Sequence, residues 1–196
     1  LFIGFVFENK NWEISGQNKL KKQIFVSHFE TKHSMAENLH IPETTDRATI
    51  YEAVVPQIEA LISSETDLIA NLANISAALK QAFGFYWVGF YLDNKAGELV
   101  LGPFQGPIAC TRIRYDRGVC GHSFSTKETV IVPNVDEFSG HIACSSASKS
   151  EIVVPLFNSK NEICGVLDVD SDLLNDFSEV DKVWLEKLLK VLGAKI

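Results

Sequence analysis

The sequence predicts an α+β domain, with helices at both ends of the chain and an antiparallel meander of strands as its centre. Three observations carry this. Apolar residues recur at helical spacing over 50–61, 68–83 and 180–192. The stretch between them holds short aromatic and β-branched runs, and turn-forming residues separate those runs.

The elements follow in order. Residues 1–40 show no sustained period, and KNWEISGQNKLKKQ and SHFETKHS read as an extension, partly disordered or outside the native protein, before a folded domain at 41–196. The chain opens on leucine, so its true start is expected upstream or removed by processing, and Met35 is a candidate internal start. LFIGFVF is apolar but too short to span a membrane, and no basic region precedes it. Ile50, Val54, Ile58 and Leu61 then form one helical stripe ending at Ser63-Ser64. Ser64, with Asp67 three positions on, is expected to cap a second helix bearing Leu68, Leu72, Ile75, Leu79 and Phe83 and stopped by Gly84.

FYWVGFYL and ELVLGPF, joined by DNKAGE, predict a hairpin; IACTRIRY and TVIVPNV predict two more strands, with a short helix near Val119 between them. EIVVPLF and ICGVLDVDS predict a second hairpin about NSKNE. Ser178 is expected to cap a last helix carrying Val180, Trp184, Leu188 and Leu192, ended by Gly193.

The composition bounds the function. With 196 residues, 46% of them hydrophobic and 22% charged, the chain can bury a substantial core in one domain. A formal net charge of −7 argues against binding a nucleic-acid backbone. No run approaches the ~18 apolar residues of a membrane-spanning helix. Four cysteines do not make a disulfide scaffold at this size, so a reducing cytoplasm with cycling thiols is expected.

Three of those cysteines, Cys110, Cys120 and Cys144, lie at spacings unlike a zinc knuckle or a C-x-x-C dithiol, so they can meet only through the fold. Cys144 follows His141 by three positions, and an imidazolium there would lower its pKa; Cys120 opens the predicted short helix, whose N–H groups also favour a thiolate. For each the alternative is an inert buried thiol, and for Cys110, on a predicted strand, likewise. Cys164 is expected on the face of Asp168 but ~13 Å along the strand, as a core residue. Cys120, His122, His141 and Cys144 also offer zinc ligand types, though not at a common spacing.

Asp168 and Asp170 share one strand face ~7 Å apart, and in a secluded site their repulsion would hold a proton near neutral pH, as a general acid requires. The alternative is an exposed acidic strand end. Glu151, opening the neighbouring strand, could add a third carboxylate or stay a solvated charge. Trp87 and Tyr91, four apart on a strand, could wall an apolar pocket or simply fill a core.

WVGFY, LGPFQGPIACTRI, RGVCG, GHIAC, SEIVVPL and GVLDVDS, in that order across residues 41–194, resemble the free methionine-(R)-sulfoxide reductases, a family built on a single GAF domain. The resemblance implies a six-stranded antiparallel sheet flanked by helices, a homodimer, and reduction of free methionine sulfoxide with no bound cofactor. It implies that Cys144 attacks the sulfoxide and that Cys110, or else Cys120, resolves the sulfenic acid as a disulfide recharged by thioredoxin and NADPH. It implies a substrate pocket drawing on Trp87, Tyr91, Glu151, Asp168 and Asp170; within that set, Asp170 is the first candidate for the acid because it lies deeper in the DVDS motif. The chain departs from the family pattern at Ser145, where the family has Asp, and at Asp116, where it has Gly. The rival class is a GAF sensor that binds a small molecule without chemistry; cysteines placed within these motifs favour the enzyme.

Overall fold

The computed structural model describes residues 38–140 and 147–196, so His141, Cys144 and Ser145 lie outside the described residues, as does nearly all of the expected extension at 1–40. Two helices come first, α1 (Arg47–Ser63) and α2 (Leu68–Phe83), then strands β1 (Trp87–Asp93), β2 (Glu98–Gln105) and β3 (Arg112–Arg114). Helix α3 (Gly118–Thr126), strand β4 (Val130–Val132), a 3-10 turn at Val135–Glu137, strands β5 (Ser150–Phe157) and β6 (Ile163–Ser171), and helix α4 (Glu179–Gly193) complete the order. The strands form one sheet in the order β3-β2-β1-β6-β5-β4, with every neighbouring pair antiparallel.

Side-chain alternation gives the sheet two covered faces. Val88 and Phe90 of β1, Ile152, Val154 and Leu156 of β5, and Leu167 and Val169 of β6 pack against α1, α2 and α4 in the larger core. The intervening residues Trp87, Tyr91, Val153 and Val166 turn to the other face, where α3 contributes Val119, Cys120 and Phe124 to a smaller core. A strand's period of two thus separates a stabilising face from a face available for a site.

Local chemistry sets the helix ends. Asp67, in extended conformation, accepts from the Ala70 N–H and caps α2, whereas Ser64 is the last cap position of α1, so the sequence expectation is off by three residues. Gly84 ends α2 in the left-handed region at φ 69°, where a Cβ would be strained. Ser178 and Asp181 form a reciprocal capping box at the start of α4. On α1 the expected stripe holds at Ile50, Val54 and Ile58, but Ile62 is buried in place of Leu61, which is 39% exposed; Ile62 lies one full turn after Ile58.

Two strand expectations change. The third strand is only Arg112–Arg114, so Cys110 sits in the loop before it. Along β6, pairing passes from Leu156↔Gly165 to Phe157↔Ile163, an irregularity that adds a residue to β6. Ile163 therefore packs on the smaller core, and Cys164 turns to the larger one, away from the face of Asp168. The Cys164 thiol is half-buried there and donates to the Leu156 carbonyl at 3.4 Å.

Candidate active site

Sheet register builds the floor of a pocket on the smaller-core face. Trp87 on β1 pairs with Asp170 on β6, which pairs with Glu151 on β5, so these three stand in one row; Asp168, two residues from Asp170, projects from the same face. Adjacent strands lie ~4.8 Å apart, which brings the carboxylates of different strands together. The first turn of α3 (Gly118, Val119, Cys120), the loop Pro107–Ala109, Tyr86, Tyr91, Ile113 and Ser148 complete the walls.

The aromatic wall depends on two glycines. A Cβ on Gly89 would stand 2.3 Å from Phe104 Cβ and 2.7 Å from the Trp87 ring, and one on Gly106 would stand 2.6 Å from that ring. Trp87 therefore lies flat over bare backbone, stacked on Phe104 and Tyr91 with centroids 5.3 and 6.0 Å away. Its Nε1–H donates to the Pro107 carbonyl at 3.1 Å. Tyr91 Oη donates to the Cys110 carbonyl at 2.9 Å, which fastens the cysteine-bearing loop to the floor.

The carboxylates are dry. Glu151 and Asp168 are 6% and 7% exposed, so neither is the solvated charge or exposed strand end that sequence left open. Burial raises both well above the usual carboxylate range, reinforced by their neighbours: Asp168 and Asp170 act on Glu151, and Asp170 acts on Asp168. Asp168 Oδ1 has no hydrogen-bond partner. Asp170 is pushed up to about 6 by burial, while a hydrogen bond from the Ser148 hydroxyl at 2.5 Å works in the opposite direction. Burial also raises the Tyr91 phenol, so it stays protonated as a donor.

Cys120 reverses a sequence expectation. It does open α3, but burial and the charges of Asp168 and Glu151 push its thiol up, so the helix N-terminus does not make it a thiolate. Cys120 and Cys164 are free thiols, and Cys110 is disulfide-bonded. The suggested zinc set is not assembled among its described members, because Cys120 is buried while His122 is exposed and edge-on to Phe138. Instead, Cys120 Sγ and carboxylate oxygens of Glu151 and Asp168 lie within 4.8 Å of one another, a donor set with one thiol and no imidazole.

Ser148 was missed by sequence reasoning. Its only signal was position, four residues after Cys144 and three before Glu151. The Gly118 N–H at the start of α3 donates to the Gly140 carbonyl at 3.2 Å. Among the described lining residues there are three carboxylates and no Lys, Arg or His. Such a pocket suits a small ligand with an apolar body and a cationic group.

The GAF domain family profile matches residues 67–196. The chain is 58% identical over 158 residues to GAF domain-containing protein A of Dictyostelium discoideum, covering 81% of this chain and 99% of that one. It is 43% identical over 148 residues to the free methionine-R-sulfoxide reductase of Escherichia coli, covering 75% and 88%. A crystal structure of the free methionine-R-sulfoxide reductase of Neisseria meningitidis in complex with its substrate is similar at TM-score 0.78 and 53% identity, covering 81% of this chain and 94% of that one. On this likeness in sequence and fold, the chain belongs to the free methionine-(R)-sulfoxide reductase family, built on a single GAF domain.

Proposed function

We propose that this chain reduces free L-methionine (R)-sulfoxide to L-methionine. The observation that carries the reading is a pocket of three carboxylates, Glu151 and Asp168 buried and Asp170 half-buried, without a cation among the described lining residues, walled by Trp87 and Tyr91 and bordered by Cys120 and the Cys110 loop. The aromatic wall receives the thioether carbons, and the carboxylates receive the ammonium that only a free amino acid carries. Acylation of that nitrogen in a peptide removes its charge, so a peptide-bound residue is refused.

In the reaction, the Cys144 thiolate attacks the sulfoxide sulfur while an acid protonates the leaving oxygen. The protonated oxygen passes as hydroxyl to the Cys144 sulfur, both bonds to the methionine sulfur break, methionine departs with its lone pair restored, and Cys144 is left oxidised as a sulfenic acid. A resolving thiol, Cys110 first or Cys120, attacks that sulfur, expelling water and forming a disulfide. The disulfide at Cys110 supports this assignment. Two electrons from thioredoxin, drawn from NADPH, restore the dithiol in a reducing cytoplasm, and no bound cofactor takes part. The working form is a homodimer.

The burial pattern supports giving the proton-donor role to the Asp168–Glu151 pair and the ammonium to Asp170, the reverse of the order the motif suggested. A general acid must hold its proton at neutral pH, and the drier pair does so more firmly than Asp170 at about 6.

The test is an NADPH-coupled thioredoxin assay with each sulfoxide epimer, free and peptide-bound. Turnover is expected only with the free (R) form, and Cys144→Ser should abolish it in a folded protein. Binding of the free sulfoxide without turnover would make the domain a sensor, and near-stoichiometric zinc on the purified thiols would make it a metal-stabilised module.

A further inference from the structure

Three carboxylates crowd one dry pocket, and a pocket of like groups has no reason in itself to give each a different task. Asp168 and Asp170 occupy equivalent positions on one strand face, and Glu151 stands beside Asp170 across the β5–β6 ladder. Their hydrogen bonds differ: Asp168 shares side-chain bonds with Cys120 and Glu151, whereas Asp170 receives a serine hydroxyl. Ser148, 6% exposed, directs Oγ–H at Asp170 Oδ1 over 2.5 Å, within the range of a charge-assisted O–H···O⁻ bond. Asp168 Oδ1, by contrast, has no partner.

We propose that Ser148 is the positioning residue that keeps Asp170 an acceptor-only carboxylate turned to the substrate's ammonium, and so leaves the proton to Asp168 and Glu151. This deepens the functional reading above and rests on it for the identity of the cation. Other groups facing Asp170 cannot do the same. Glu151 from β5 and Asp168 from its own strand are acids, Tyr91 from β1 is a phenol, and Cys120 from α3 is a thiol. None of them brings a positive charge.

The backbone holds Ser148 beside the end of β6. The Lys149 N–H donates to the Ser171 carbonyl at 2.7 Å, which anchors the chain just after Ser148 to the end of β6.

The experiment titrates Asp170 in the full-length protein by carboxyl carbon-13 NMR, assigned with Asp170→Asn, in Ser148→Ala and in the shape-matched pair Ser148→Thr and Ser148→Val. A hydrogen bond to a charged acceptor contributes about 1.5–3 kcal/mol, so Ala and Val should raise the Asp170 midpoint by roughly one to two pH units, while Thr leaves it near the wild-type value. Kinetics should follow the same split. Ala and Val raise KM for the free sulfoxide by about tenfold near pH 6, the deficit closing towards about pH 8, with kcat changed less and Thr rescuing both. An Asp170 midpoint unmoved by Ala and Val would overturn the proposal. So would a kcat loss equal at every pH and shared by Thr, which marks a merely structural serine. If the unaltered protein does not bind the sulfoxide, the functional reading fails, while the NMR midpoints still decide the role of Ser148.

Discussion

On the proposed reading, Asp170 serves substrate binding at the expense of stability. Its folded-state pKa of about 6 stands above the 3.8 of an unperturbed aspartate. The folded state therefore binds this proton more tightly than the unfolded one. Stability is fully present below about pH 4 and declines as pH rises through about 6, by about 3 kcal/mol at neutral pH. Asp170→Asn should then raise the unfolding temperature at pH 7, with the gain absent below about pH 4, while weakening substrate binding. Thermal melts across pH, with and without the sulfoxide, read both effects. Asp168→Asn should behave differently, lowering the single-turnover rate by about 10²–10⁴-fold because it removes the acid. If Asp168→Asn alters only KM, the roles of the two aspartates are exchanged.

At the scale of the element, the irregularity in β6 decides which cysteine matters. It turns Cys164 to the helical face, where its thiol bonds to Leu156 and cannot reach the pocket. Cys164→Ser is expected to keep near-normal turnover with a modest loss of stability. Loss of activity in the folded variant would put the thiol back in the mechanism. The Gly89 position on β1 is the opposite case, because no side chain fits there. Gly89→Ala should displace the Trp87 ring and Phe104, costing about 1–3 kcal/mol and raising KM, read by Trp fluorescence and steady-state kinetics. Asp181, fully buried at the start of α4, accepts from Arg47 at 2.7 Å and from Tyr51 Oη at 3.0 Å, while Arg47 also pairs with Asp176 at 2.8 Å. These bonds join the start of α1 to the connection between β6 and α4. Asp181→Ala is expected to destabilise by on the order of 3 kcal/mol, measured in denaturant, without changing substrate specificity.

Across the described residues, one face of the sheet carries the larger core and the other carries the proposed site. Helices α1, α2 and α4 bury the larger core, where the buried Asp181 is paired with Arg47, and the face under α3 holds carboxylates without a cationic partner among the described residues. The compact unit containing the described residues begins at Asn38. Leu39 and Ile41 pack against the larger core of that unit. A chain starting at Met35 is expected to fold and turn over like the full-length protein. Unfolding of that shorter chain, or loss of its dimer in light scattering, would show that the preceding residues contribute structure.

Local pattern in the sequence was enough to place every helix and strand within a few residues, because helix and strand periods and the Gly84, Ser178 and DNKAGE signals act between near neighbours. The same pattern brought out Cys110, Cys120, Cys144, Trp87, Tyr91, Glu151, Asp168 and Asp170 as the residues to watch. Only tertiary structure decided how the described ones among them relate. The alignment of Trp87, Asp170 and Glu151 follows from strand register, a pairing between residues up to 83 positions apart, and no local signal encodes it. The turning of Cys164 follows from one extra residue in a ladder. The raised pKa of Cys120 follows from burial beside carboxylates brought in from β5 and β6, which outweighs the helix N-terminus that sequence made visible. Ser148 gained its partner only when the chain folded, since a hydroxyl's effect on an acid depends on a distance that sequence spacing does not contain.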